Sequence, residues 1–132
     1  MLTPEIEEFA KILVQQVRDA AIRSCDRDLQ PDAQSSVARR WKEAARDGIP
    51  QELVKMVISD VVDETIANLL LTIDQELLPM SYTASNGNKV NLVEEGRGEL
   101  SGWYGGSPGW RTLYTSERFA DDYSDLRGFF DP

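Results

Sequence analysis

Residues 50–79 read PQELVKMVISDVVDETIANLLLTIDQELLP, and this stretch decides the fold. Proline occurs only at its two ends, so a helix is expected to begin at Pro50 and to run to about Leu78, where Pro79 stops it. Its apolar side chains recur at helical spacing and cover well over half of the circumference at about 100° per residue. We therefore expect a long central helix that packs on several sides. The apolar positions are Leu53, Val54, Val57, Ile58, Val61, Val62, Ile66, Leu69, Leu70, Ile73 and Leu77.

Two further helices are predicted before the central one. Thr3 and Pro4, followed by acidic residues, are typical of a helix start, because threonine caps, proline suits the first position and acids favour the positive end of the helix dipole. Apolar residues at spacings of three and four continue this helix to about Cys25. A shorter helix is predicted over residues 33–46, with Asp47-Gly48 as its end signal.

The periodicity changes after Pro79. Asn86-Gly87 lies between two runs with β propensity, 80–84 and 89–93. An Asn-Gly pair in this position is a strong local signal for a β-hairpin, because both residues tolerate the positive φ angles of a tight turn. The sequence therefore predicts an antiparallel hairpin directly after the central helix.

Two more strands are predicted beyond the hairpin, at 99–104 and 110–115, with glycine-rich loops between them. The fold class expected is α+β, in which three N-terminal helices pack against a small antiparallel sheet of two to four strands. The length of 132 residues fits a single domain, 1–132. Its parts are a helical part (1–78), an antiparallel β part (79–115) and an acidic, aromatic C-terminal segment (116–132).

The C-terminal segment alternates acids with aromatic and aliphatic residues. This pattern predicts either a short helix that ends at Gly128 or a tail that lies over the sheet. Phe129 and Phe130 are interpreted as a hydrophobic clamp that closes the core, and the alternative is an exposed docking end.

The charge of the chain limits its partners. With 23 acids and 14 bases the formal net charge is −9, and residues 51–95 alone carry eight acids and two bases. Nucleic acids and anionic membrane surfaces would repel such a chain, so neither is an expected partner. No apolar stretch in the sequence is long enough to span a bilayer.

The chain has no histidine and only one cysteine, Cys25. This excludes Ser-His-Asp and Cys-His catalysis, histidine-ligated zinc and an intramolecular disulfide. An enzyme would have to rely on carboxylates, lysine or a metal, so a non-enzymatic role is favoured. The single cysteine and the absence of a signal-peptide pattern at the start lead us to expect a cytoplasmic protein.

Four acids share one side of the central helix, within an arc of about 100° that the apolar residues leave free. Like charges three or four residues apart cost about 0.2–0.5 kcal/mol per pair, so the cluster needs a neutralising partner. Arginine and lysine from the neighbouring helices, a basic protein partner and a divalent metal are the three candidates. The acids are Asp60, Asp63, Glu64 and Asp74.

The metal alternative is a magnesium site made by Asp60, Asp63 and Glu64, since hard cations prefer carboxylate oxygens. The pairs Glu5-x-x-Glu8 and Asp60-x-x-Asp63 are superficially similar to the acidic motifs of the all-α nucleoside triphosphate pyrophosphatases. That similarity implies a magnesium-dependent nucleotide phosphohydrolase. The two pairs lie further apart in the sequence than in that family, so no family is assigned.

Residues 102–110 read GWYGGSPGW and combine glycines with three large aromatic residues, Trp103, Tyr104 and Trp110. The stretch is not a phosphate-binding loop, because the Gly-Lys-Ser/Thr ending is missing. The aromatic side chains are expected either to fill the space between sheet and helices or to contact a partner, since tryptophan and tyrosine are enriched at binding hot spots.

These features together favour a small acidic binding protein that engages a basic protein partner. Inhibitors and immunity proteins that cover basic toxin surfaces have a similar size and composition, and opposite charges would speed the encounter. The alternatives are the magnesium-dependent phosphohydrolase and a structural homodimer formed through the central helix or the aromatic loop. In the leading hypothesis, the acids Asp60, Asp63, Glu64 and Asp74 steer the partner and the aromatic residues Trp103, Tyr104 and Trp110 anchor it.

Overall fold

The structure is a computed structural model of the chain that describes residues 2–45, 48 and 50–120. Residues 121–132 lie outside the described residues, and so does the predicted clamp of Phe129 and Phe130. Residues 116–120, which begin the C-terminal segment, contain no helix.

The chain begins with a continuous helical run from residue 4 to residue 28. The run comprises α1 (Pro4–Ile12), a π-helical segment (Leu13–Arg18) and α2 (Asp19–Asp28). The Thr3 side chain accepts a hydrogen bond from the Ile6 amide at 3.2 Å, which confirms the predicted helix start. The apolar spacing gives no sign of the π-helical segment, in which wider turns change the direction of the side chains that follow. The segment ends at Arg18, whose side chain is completely buried.

Two more helices, α3 (Ser36–Ala44) and α4 (Gln51–Asp74), complete the helical part. The Ser35 side chain accepts a hydrogen bond from the Ala38 amide, so α3 begins three residues later than predicted. α4 ends four residues before the predicted end at Leu78. Glu76 adopts the left-handed conformation there, with φ of 63°, and this ends the helical geometry although the apolar pattern continues.

The predicted hairpin is confirmed. β1 (Ser81–Thr83) pairs antiparallel with β2 (Lys89–Asn91), and Tyr82 lies opposite Val90. Gly87 occupies the turn with φ of 88°, a left-handed angle that glycine adopts at little cost. The Asn-Gly signal in the sequence thus marks the turn that forms.

The predicted third and fourth strands are wrong, because 99–104 and 110–115 are largely helical. Three short helices follow β2: α5 (Leu92–Gly96), α6 (Leu100–Gly105) and α7 (Trp110–Tyr114). Leu100 and Tyr104 are four residues apart and both are fully buried, which is helical rather than strand spacing. Within the described ranges the sheet therefore has two strands, and the fold is broadly α+β.

One hydrophobic core joins the first helical run, α4 and the short helices. Its buried residues are Ile6, Ala10, Leu13, Val14, Ile66, Leu70, Ile73, Leu92, Leu100, Tyr104 and Trp110. α4 enters this core with one face of its C-terminal half. α4 packs against α2, α5 and α6 as well as the π-helical segment, yet many of its apolar side chains stay exposed, so the expected packing on several sides covers only part of the helix.

Candidate functional site

The four acids that were predicted to form one surface all lie on α4, but they differ in how far they are buried. Asp60 and Glu64 are exposed, Asp74 is half-buried and Asp63 is buried, with 8% of its surface exposed. At about 100° per residue Asp63 and Asp74 lie on the edge of the acidic arc next to the core, and Asp60 and Glu64 lie on the other edge. The arc is therefore divided between the interior and the surface.

Asp63 accepts hydrogen bonds from three side chains. Arg18 donates from Nε to Oδ1 at 2.7 Å and from Nη2 to Oδ2 at 3.3 Å. Arg111 donates from Nη1 to Oδ2 at 2.9 Å, and the Tyr104 hydroxyl donates to Oδ1 at 2.5 Å. Two guanidinium groups thus neutralise this carboxylate inside the protein, so Asp63 is not available to a partner at the surface.

A second buried carboxylate, Asp19, completes the network. It accepts from Arg18 Nη1 at 2.9 Å, from the Thr115 hydroxyl at 2.7 Å and from the Ser116 amide at 2.9 Å. Two guanidinium groups and two carboxylates meet here, so their formal charges cancel. We call Arg18, Asp19, Asp63, Tyr104 and Arg111 the buried network.

The pKa directions agree with this pairing. Burial by itself would lower the pKa of Arg18 and raise that of Asp19. Hydrogen bonds and charge reverse both effects: Asp63 raises the pKa of Arg18, and the Ser116 amide, Thr115 and Arg18 lower that of Asp19. Burial, followed by the Asp63 contact, raises the pKa of Tyr104, which keeps its hydroxyl a donor.

Asp74 has a structural contact of its own at the start of α6. Its carboxylate accepts hydrogen bonds from the Leu100 amide at 2.9 Å, the Ser101 amide at 3.0 Å and the Ser101 hydroxyl at 2.9 Å. The first backbone amides of a helix have no partner within the helix, so this carboxylate acts as its N-terminal cap from outside. Asp74 links the end of α4 to α6 and is engaged within the chain.

The aromatic residues of 102–110 pack mainly inside. Tyr104 and Trp110 are buried, with 1% and 2% of their surfaces exposed, and Trp103 is half-buried. The ring centroids of Trp103 and Trp110 are 5.9 Å apart, and Trp110 also meets the Phe9 ring at 6.1 Å. These contacts correspond to the space-filling alternative for the stretch. Of its glycines, Gly106 and Gly109 lie in the connection between α6 and α7.

The carboxylates considered for magnesium do not converge. The Asp63 oxygens accept from Arg18 and Arg111, whereas Asp60 and Glu64 lie on the exposed edge of α4. Among the residues that the structure describes, no three or more Cys, Asp or Glu side chains are grouped in a way that could hold a metal ion. Asp60, Asp63 and Glu64 thus do not form one ligand set among the described residues, and the magnesium alternative stays a prediction.

Glu5 and Glu8 anchor the hairpin turn to α1. The Glu8 carboxylate accepts from the Tyr82 hydroxyl at 2.5 Å, from the Ser85 amide at 2.9 Å and from the Ser85 hydroxyl. Glu5 accepts from the side-chain amides of Asn88 and Asn86, each at 3.0 Å. Asn88 and Asn86 lower the pKa of Glu5 to about 2, and Ser85 and Tyr82 lower the pKa of Glu8.

We expect these two carboxylates to make the protein sensitive to acid. Their pKa values are lower in the folded chain than their usual value of 4.5, so their contribution to stability is complete above that pH. It is lost as the pH falls through 4.5 toward the folded pKa of Glu5 near 2. Urea unfolding between about pH 7 and pH 3 should show a weaker pH dependence in a Glu5→Gln, Glu8→Gln double variant than in the wild type.

A Glu7→Gln variant is the matched control, because Glu7 is an exposed neighbour on α1 whose carboxylate forms no hydrogen bond or ion pair with another described residue. It should keep the wild-type pH dependence. Some dependence will persist in the double variant, because the pKa of Asp19 is also lowered. An unchanged pH dependence in the double variant would show that the turn is not held by these carboxylates.

The exposed side of α4 carries large apolar residues that the core does not use. Leu53, Val57 and Val61 follow one another at intervals of four residues and expose 52%, 48% and 56% of their surfaces. Met56, which is 58% exposed, lies beside them. Intervals of four place such residues on adjacent helical turns, so they form one strip. Together with Asp60 and Glu64 they form a surface that we call the α4 face.

The carboxylates on the α4 face have no partner among the described residues. Within residues 2–45, 48 and 50–120, neither Asp60 nor Glu64 forms a side-chain hydrogen bond or ion pair through its carboxylate. The two are four residues apart and repel each other by about 0.2–0.5 kcal/mol. The α4 face thus combines exposed apolar area with negative charge that the described chain does not neutralise.

A cleft of about 570 Å³ opens between α3 and α4, beside the α4 face. Leu53 and Val57 belong to both, so cleft and face are continuous. The walls of the cleft are largely apolar, and the side chains of Asp28, Lys42 and Gln51 lie around it. Its apolar walls are Leu29, Trp41, Ala44, Ala45, Leu53, Val54, Val57 and Ile58.

Sequence reasoning assigned Leu53, Val57 and Val61 to the core and did not consider Met56. A signal for their exposure was present, because an apolar arc wider than half of the circumference needs neighbours on several sides. The described chain supplies such neighbours to only part of α4. The surplus apolar residues therefore mark the exposed surface, and two of the predicted acids, Asp60 and Glu64, lie on it.

Among the described residues, no helix has both the length and the apolar character needed to cross a membrane. Comparisons with protein-family models, with curated proteins and with solved structures give no match to the chain. The geometry of the α4 face and the cleft is therefore the basis for a functional proposal.

Proposed function

We propose that this chain is a non-enzymatic binding protein whose α4 face binds an amphipathic, basic segment of another protein. The observation that carries the proposal is the exposed strip of Leu53, Val57 and Val61. It lies next to the carboxylates of Asp60 and Glu64, which pair with no other residue that the structure describes. A cytoplasmic inhibitor or immunity-like protein that covers a basic surface would use such a face. Of the four acids predicted to contact the partner, only Asp60 and Glu64 remain in this proposal. Asp63 and Asp74 form hydrogen bonds within the chain, and Tyr104 and Trp110 are buried.

The apolar strip supplies affinity. Burial of a large aliphatic side chain that was fully exposed contributes about 1.5–3 kcal/mol, so covering these half-exposed residues supplies several kcal/mol before the costs of association. Contiguous exposed apolar patches rimmed by polar groups are typical of protein interaction sites. The α4 face has this arrangement.

The two carboxylates determine the charge of the partner. Lysine or arginine placed beside Asp60 and Glu64 would relieve their mutual repulsion. A basic segment would therefore bind more tightly than a neutral one. A second copy of the chain is disfavoured on this surface, because two α4 faces in symmetric contact would bring four carboxylates together. Charge thus favours a different, basic partner over the structural homodimer.

The proposal can be tested with two model peptides. One is an amphipathic helix of leucine and lysine, and the other has glutamate in place of lysine. We expect the leucine–lysine peptide to bind and the leucine–glutamate peptide not to bind in calorimetric titrations. Binding should weaken as salt is added, because exposed charges are screened over about 8–10 Å near physiological ionic strength.

Two variants should locate the binding on the α4 face. Asp60→Lys combined with Glu64→Lys reverses its charge, and Val61→Asp interrupts its apolar strip. Each should weaken binding of the leucine–lysine peptide by about tenfold or more, roughly 1.4 kcal/mol. A variant that combines Glu94→Lys with Glu95→Lys, at two exposed acids on α5, makes the same change in net charge as the double α4 variant and should bind the peptide nearly as the wild type.

The proposal fails if the leucine–lysine peptide does not bind or if both variants bind it like the wild type. Light scattering at the same concentrations addresses the homodimer. If the wild type is a dimer that Val61→Asp converts to a monomer, a second copy occupies the α4 face instead of a basic partner.

A further inference from the structure

We infer that the partner segment is a helix that inserts one bulky apolar side chain into the cleft between α3 and α4 while its cations lie beside Asp60 and Glu64. This inference rests on the proposed function and specifies how the partner is recognised. It treats the cleft and the α4 face as one binding surface, because Leu53 and Val57 are part of both.

The cleft has the character of an anchor pocket. Its volume of about 570 Å³ lies within the range of ligand pockets, and its walls are mainly aliphatic side chains and Trp41. Binding energy at interfaces is concentrated where a large side chain fills such a pocket and is shielded from water. An exposed strip and an adjoining apolar pocket form the type of groove that receives an amphipathic helix.

The described residues that line the cleft include one cation, Lys42, and one anion, Asp28. Lys42 donates from Nζ to the Pro31 and Ala33 carbonyls, each at 2.7 Å, so its ammonium group is already engaged. Asp28, which also lines the cleft and carries the opposite charge, accepts a hydrogen bond from the Ser35 hydroxyl at 2.7 Å. The carboxylates of Asp60 and Glu64, which form no hydrogen bond or ion pair with another described residue, lie beside the cleft and attract cations.

The spacing along α4 predicts the pattern of the partner. At 1.5 Å per residue, Asp60 and Glu64 lie about 4.5 and 10.5 Å along the helix axis from Val57 at the cleft. A partner helix aligned with α4 would cover these distances in about three and seven of its own residues. We expect a bulky apolar residue with lysine or arginine about three and seven positions away on the same face.

The test uses leucine–lysine peptides that differ at one central position, which is tryptophan, leucine or alanine. Proton–nitrogen NMR spectra of the labelled protein resolve the indole N–H groups of Trp41, Trp103 and Trp110, and a Trp41→Phe variant identifies the first. Trp41 lines the cleft, whereas Trp110 is buried in the core and Trp103 packs against it. We expect the Trp41 indole signal to shift, and we expect the alanine peptide to bind about tenfold more weakly than the bulky ones.

A cleft-filling variant tests the same point from the protein side. Ala44→Leu places a larger side chain in the cleft and should weaken binding of the tryptophan peptide by about tenfold while affecting the alanine peptide little. Gln16→Leu is the matched control, because Gln16 is exposed on the π-helical segment and does not line the cleft. The peptide series keeps the test valid even if Ala44→Leu folds poorly.

The outcomes separate this inference from the proposed function. If peptide binding depends on Asp60, Glu64 and Val61 but leaves Trp41 unperturbed and shows no preference at the central position, the cleft inference is overturned and the proposed function stands. If no peptide binds, or if charge reversal leaves binding unchanged, the proposed function fails and this inference fails with it.

Discussion

Replacing Asp63 by asparagine is expected to lower the free energy of unfolding by about 3–5 kcal/mol. The carboxylate is buried between the guanidinium groups of Arg18 and Arg111. Its Oδ1 also accepts a hydrogen bond from the Tyr104 hydroxyl. Asparagine has nearly the same shape but no charge, so the buried network would hold two cations and only one anion, Asp19. An uncompensated buried charge costs far more than the net contribution of the pair that it once formed.

Asp60→Asn is the matched control, because it is the same substitution on the same helix three residues away. Asp60 is exposed and its carboxylate is unpaired in the described chain, so the free energy of unfolding should change by no more than about 0.5 kcal/mol. Urea unfolding followed by circular dichroism measures both variants, and an unchanged denaturant slope shows that they unfold to comparable states. Equal effects of the two substitutions would mean that the Asp63 pairing contributes little to the fold.

The contrast between Asp60 and Asp63 also shows how far the sequence allows prediction of the site. The helical angle places both acids in one arc of α4. Which edge of the arc is buried depends on where Arg18 and Arg111 approach, and they are 45 and 48 residues away in the chain. Arg18 ends a π-helical segment that the apolar spacing does not reveal, so this contact could not be derived from local patterns.

The fold was predictable where a local signal determines it. The Thr3 cap and the Asn86-Gly87 turn are examples, because each acts on backbone atoms within a few residues. The stretch 99–115 was not predictable in the same way. Tryptophan, tyrosine and threonine favour strands there by propensity, yet Asp74 caps the first amides of α6 from 26 residues away and the residues pack as helices.

The second large effect is expected from Gly109→Ala, which should destabilise the protein by about 1–3 kcal/mol. Gly109 precedes α7 and has φ of −122°, so backbone strain is not the reason. A Cβ atom at this position would lie 2.7 Å from the Trp103 carbonyl oxygen and 2.7 Å from the Gly106 amide nitrogen. These are backbone atoms and cannot rotate away as a side chain can, so the connection between α6 and α7 must open.

Opening this connection disturbs the core, because Trp110 follows Gly109 directly and is packed against Trp103.

Gly102→Ala provides the control within the same stretch. Gly102 is exposed in α6, and a Cβ atom added there would meet no atom within 4 Å outside its own helix backbone. Alanine also favours a helix over glycine by about 1 kcal/mol. The melting temperature should therefore fall in Gly109→Ala and rise slightly in Gly102→Ala. If Gly109→Ala left the melting temperature unchanged, the close approach of α7 to α6 would not be a requirement of the fold, and the glycines of 102–110 would need another explanation.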